Sequence, residues 1–266
     1  MKKLILTVIV LGVATVAAVR YSARPSAPAP ANPSTTQPAT EATLPAVNKT
    51  ITKTVTPTTA GAETNLLSHG LIVGSPEAVA FAAEIDTLTS AHSTFVERQA
   101  AWKELMASGR IQDAIAELEQ RAANDPKDAE VAATLGQAYL KACATTKDVR
   151  SQAIWAMEAD KSFDAALSVD PENWDARFTK SVAMTYWPDN LNKSQEIIDN
   201  FNTLISQQEK EAPQPQFASA YLWLGQQYVK AGQQDMAQQV WQRGASLYPN
   251  DSELQKILAP NQTAQQ

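Results

Sequence analysis

Residues 221–250, YLWLGQQYVKAGQQDMAQQVWQRGASLYPN, decide the fold. The stretch holds no His, no Cys, one acid (Asp235) and two bases (Lys230 and Arg243), so it offers little for chemistry. Its apolar and small residues recur at helical spacing: Tyr221, Leu224, Gly225 and Tyr228, then, past Gly232, Ala237 and Trp241, with Pro249 at the end. That pattern describes two short helices joined at a glycine turn, each with one side to bury.

The same spacing appears earlier in the chain. Ala101, Trp102, Leu105, Gly109, Ala114, Leu118 and Pro126 stand at matching offsets, about 34 residues per unit. A second unit supplies Leu135, Gly136 and Tyr139, then Ala159, Phe163, Ala166 and Pro171, with roughly 11 extra residues between its halves. Those extra residues predict a lengthened second helix starting near Asp148. A third unit is weaker: Ser181 replaces the usual glycine, and the turn WPDNLN is long.

These units resemble the tetratricopeptide repeat (TPR) family, whose unit carries a Leu-Gly pair, a Tyr, a turn Gly, an Ala, an aromatic residue and a final Pro. The resemblance covers roughly residues 95–250. It implies an all-α, right-handed α-solenoid of about four antiparallel helix pairs. Gly136 and Gly225 then let partner helices approach, as do Ala114, Ala159 and Ala237, while Tyr139, Tyr228, Phe163, Trp102 and Trp241 fill the space between pairs and Gly109 makes a turn.

Composition bounds the rest. Of 266 residues 44% are hydrophobic, enough for one core, and the net charge of -6 with scattered bases argues against nucleic acid. A single cysteine, Cys143, excludes an intrachain disulfide and a multi-cysteine metal site. His69 and His92 stand alone, and no glycine-rich phosphate loop or zinc motif occurs. The expectation is a protein without catalytic, cofactor-binding or metal-binding residues.

Residues 1–21 begin MKK and continue as 16 uncharged, mostly apolar residues from Leu4 to Val19. They read either as a signal anchor retained in the cytoplasmic membrane or as a signal peptide cleaved after Ala18, with the remainder periplasmic in both cases. Residues 22–65, rich in Pro, Ala and Thr, read as a disordered linker. Residues 66–94 read as an N-terminal capping helix region starting at Pro76 with Ser75 as its cap, and residues 251–266 as a C-terminal capping helix and tail.

If the family's geometry holds, the first helix of each unit lines a concave partner-binding groove. The inward positions are Val96, Gln99, Lys103 and Met106; Glu130, Ala133, Gln137 and Leu140; Asp175, Phe178, Val182 and Tyr186; and Ser219, Leu222, Gln226 and Val229. Among them Phe178, Val182, Tyr186, Leu222 and Val229 form an expected apolar strip in need of a partner. The expected function is a protein-protein interaction scaffold for another envelope protein or peptide; relatives of this layout serve cytochrome maturation, outer-membrane insertion or secretion. The alternatives are a self-associating homo-oligomer whose groove holds its own helix or a second copy, and a carbohydrate or cell-wall binder using Trp155, Trp174, Trp187 or Trp223.

Overall fold

The structure, a computed structural model, describes residues 74–262. These residues form ten α-helices: α1 (Pro76–Thr89), α2 (Phe95–Ala107), α3 (Ile111–Asn124), α4 (Ala129–Thr145), α5 (Val149–Val169), α6 (Trp174–Met184), α7 (Ser194–Gln208), α8 (Ala218–Lys230), α9 (Gln234–Leu247) and α10 (Ser252–Gln262). They stack as antiparallel pairs in a TPR-like α-solenoid, with α2/α3, α4/α5, α6/α7 and α8/α9 as the pairs.

Local chemistry sets the boundaries. Ser75 caps α1 by accepting from the Ala78 amide, with Pro76 at the first helical position, where its missing N–H costs nothing. Thr94 and Glu97 close a reciprocal capping box on α2. Asp128, Asp148 and Asn173 cap α4, α5 and α6 through their side chains. Between the helices of the first and last pairs the chain turns at Gly109 (φ 72°) and Gly232 (φ 77°). There the amides of Arg110 and Gln233 donate back to the carbonyls of Leu105 and Tyr228, the six-to-one closure that a left-handed residue makes possible.

Two apolar clusters fill the stack. One joins α1 to α5 and reaches Ala176 on α6; the other joins α6 to α10 around Phe178, Phe201, Tyr221 and Leu224. Helix α6 is therefore the seam, and at 11 residues it matches α10 as the shortest of the set. It ends at Met184, so Tyr186, expected in its last turn, lies beyond it in a long connection containing a 3-10 turn, Asp189–Leu191. Helix α5, by contrast, runs 21 residues from its Asp148 cap, as the extra residues of the second unit predict.

One expectation is corrected. Among the described residues no helix is long and apolar enough to cross a membrane. Residues 1–21 and 22–65, on which the membrane partner, the signal, the linker and the single-pass periplasmic placement rest, lie outside the described residues.

Candidate functional site

The close approaches that build the solenoid also shape its concave side. A Cβ on Gly136 would lie 2.6 Å from the Phe163 ring, and one on Gly225 only 2.1 Å from the Trp241 indole nitrogen. Both glycines let an aromatic ring of the second helix rest on the backbone of the first. Gly244 does the same for Tyr221, a third close approach that the repeat pattern leaves unmarked. Gly109 differs: a Cβ there meets nothing, and its role is the positive φ alone. Ala114, Ala159 and Ala237 are buried, as are Phe163 and Tyr228. The Tyr139 hydroxyl donates to Glu119 Oε1 at 2.7 Å while its ring stacks on Trp155.

With those helices fixed, the first helices of three successive pairs leave a small cleft open to solvent. Phe95, Arg98, Gln99 and Trp102 line it from α2, Gln137, Leu140 and Lys141 from α4, and Trp174, Asp175, Phe178 and Thr179 from α6. Four of these eleven residues are aromatic and six are polar or charged. Trp174 stacks on Phe178 with centroids 4.6 Å apart, and its Nε1 donates to Gln208 Oε1 at 2.8 Å. Trp102 Nε1 donates to Gln137 Oε1 at 2.9 Å. Both indoles are thus fixed from behind.

Charge in the cleft is unevenly matched. Arg98 reaches across from α2 to Asp175 on α6 at 2.9 Å. Burial pushes the Asp175 carboxyl up, and Arg98 offsets part of that. Burial also raises Glu130, with Asp175 adding to the rise and Arg98 opposing it, while Asn173 Nδ2 donates to Glu130 Oε1 at 2.9 Å. Lys141 has no such partner. It is 8% exposed, its Nζ sits 4.6 Å from the Trp102 ring centre, and no acceptor or carboxylate reaches it. Burial pushes its ammonium down to about 8.

Of the expected groove residues, the cleft unites Gln99, Gln137, Leu140, Asp175 and Phe178. Val96 is 75% exposed and outside it, and Met106 packs against the first core. The apolar strip is corrected: Phe178 and Leu222 are each only 2% exposed, and Val182 and Val229 pack on the second core. Tyr186 meets Trp223 edge-on, and Gln226 is half-buried. Their partner is the protein's own interior, not an absent ligand. The sequence reading missed Phe95, Arg98, Lys141 and Thr179, and offered Trp174 only as a carbohydrate contact. A lysine inside the otherwise apolar run 138–143 was the available signal for Lys141.

One alternative is also revised. Helix α1 does not cover the cleft: it turns Phe81, Ile85 and Leu88 into the first core, where Thr134 Oγ1 donates to the Leu88 carbonyl and Arg121 pairs with Asp86. Trp155, Trp174, Trp187 and Trp223 are each partly buried, Trp187 under Lys193. Cys143 is a buried free thiol that burial pushes up, which makes it an inert packing residue. Among the described residues no group of three or more His, Cys, Asp and Glu is placed to hold a metal ion.

No protein-family model matches the chain, and no curated protein matches it. Solved structures of similar helix arrangement include a thermophilic TPR protein of Thermus thermophilus, with a TM-score of 0.47 and 16% identity over 60% of this chain and 77% of that one. A crystal structure of MamA gives 0.43 and 20% over 55% and 73%, and MamA AMB-1 gives 0.42 and 19% over 68% and 90%. The likeness is one of helix arrangement and says nothing of what is bound.

Proposed function

We propose that this chain is a protein-protein interaction scaffold whose cleft between α2, α4 and α6 receives a segment of another polypeptide. The supporting observation is the cleft itself, lined by both aromatic and polar side chains and left open by α1, which packs into the first core. Selecting a random-peptide library on the full-length chain tests it. Enriched peptides alter the emission of Trp102 and Trp174 and lose at least tenfold in affinity when Thr179→Trp fills the cleft. No enrichment, or peptides indifferent to Thr179→Trp, sinks the reading.

Self-association is a second reading with its own observation. Val149, Ile154 and Met157 on the protruding end of α5 are 76%, 50% and 58% exposed, an apolar stripe outside both cores. Light scattering of the full-length chain over a concentration series should show a dimer that Ile154→Glu with Met157→Glu returns to monomer. A wild-type monomer at every concentration removes this reading and leaves the cleft untouched.

A further inference from the structure

We propose that the polypeptide held in the cleft is recognised by Lys141 through one acidic side chain, set beside an apolar or aromatic side chain that rests against Trp102 and Trp174. The inference rests on the cleft being a peptide site and adds the chemistry of the ligand. Among the cleft-lining residues there are two cations, and they differ. Arg98 is occupied, one nitrogen on Asp175 and another on the Ser93 carbonyl. Lys141 has only the Trp102 ring face, which attracts a cation but accepts no hydrogen bond in the ordinary sense. A buried ammonium without an acceptor is an uncommon arrangement in a helix interior, because removing the charge from water is costly unless something replaces the water.

A carboxylate is the matching replacement. Lys141 is 8% exposed with its Nζ against the Trp102 ring, so folding has already removed part of its water and less remains to be shed when a carboxylate arrives. The surrounding aromatic rings keep the local dielectric low and strengthen the contact. Asp175 in the same cleft repels further negative charge, which favours a single acid over an acidic run. The apolar component follows from the walls, where Leu140 and the two indoles line the cleft beside Lys141.

The test is a double-mutant cycle on the full-length chain with a peptide enriched by it. Lys141→Met keeps the length of the side chain and removes the charge, and circular dichroism confirms that the variant is folded. Lys141→Met should weaken an enriched acidic peptide about 10- to 100-fold, the range of a charge-assisted hydrogen bond. Replacing the peptide's Glu by Gln should cost the same, and the two changes together no more than either. Enriched peptides without a preferred acid, or a Glu-to-Gln loss that persists in full on Lys141→Met, overturn the proposal while leaving the cleft as a peptide site. Displacement of the peptide by a synthetic copy of residues 30–66, or by rising concentrations of the protein itself, overturns the assignment to a foreign partner. Peptides that fail to respond to Thr179→Trp fail the underlying cleft reading instead.

Discussion

Glycines 109 and 225 occupy different positions of the repeat, a turn and a helix contact, and do different physical work, which single substitutions separate. Gly225→Ala drives a methyl group into the Trp241 indole, where the nearest atom lies 2.1 Å away, and should cost about 2 kcal/mol or more in urea unfolding despite alanine's better helix propensity. Gly109→Ala meets open space and should cost only about 1 kcal/mol, the strain of a left-handed alanine. Trp241→Leu should relieve the first variant and leave the second unchanged. Lys141 makes an opposite prediction. Its folded pKa lies below the ordinary lysine value, so between about 8 and the unfolded value the unfolded chain holds more protons, and stability rises with pH across that window. Lys141→Met should abolish that rise and stabilise the protein near pH 7 by roughly 1–3 kcal/mol, read from chemical denaturation.

At the scale of elements, α5 carries the clearest contrast between its two ends. Ala159, Phe163 and Ala166 are buried against α4 and neighbouring helices, whereas Val149, Ile154 and Met157 face solvent and the early turns are held by Trp155, stacked on Tyr139, and by Gln152, which accepts from the Cys143 thiol and donates to the Thr146 carbonyl. Native-state hydrogen exchange should therefore show the amides of residues 153–157 exchanging at least tenfold faster than those of residues 163–167. Equal protection would mean that the protruding turns are covered, as a second copy of the chain would cover them. The length of this helix was legible because an insertion between Tyr139 and Ala159 has to be absorbed by the flanking helices. The early end of α6 was less legible: Thr185 stops the helix one residue before Tyr186, and tertiary packing around the Asp189–Leu191 turn decides where the chain leaves it.

Across the whole molecule the two apolar clusters meet at α6, and polar links fasten the seam. Arg98–Asp175 crosses on the cleft side, Asn173 reaches Glu130, and the buried Lys180 pairs with Asp160 and Asp164 on α5. Arg98→Met leaves Asp175 and Glu130 without their shared counter-charge. The loss should be about 1–3 kcal/mol at neutral pH, since the pair is only partly open to water. Both carboxyls already sit above their ordinary values, so the folded state holds the extra proton and the acids favour folding at low pH. That contribution disappears as pH rises through their folded pKa values, and removing Arg98 raises those values further. The Arg98→Met defect should accordingly be smaller near pH 4 than near pH 7 in paired denaturation curves. An equal defect at both would place the energy of Arg98 in its packing.

The sequence by itself determined the helix pairs, their turns and which small residues allow close approach, because these depend on spacing within one unit: Gly136 and Gly225 in first helices, Gly109 at a turn. The resemblance to a repeat family placed Gln99, Gln137, Leu140 and Asp175 along one groove, and the structure brings these four to one cleft, as it seats Phe163 on Gly136 and Trp241 on Gly225. Only the tertiary structure decided which inward residues remain open. Phe178 and Leu222 occupy groove positions by offset, yet the seam at α6 brings Trp174, Phe201 and the second core over them, and the apolar strip closes on itself. Lys141 became visible for the same reason. Whether a lysine is solvated or buried without a partner depends on what the neighbouring pairs bring to it, and spacing along one helix carries no information about that.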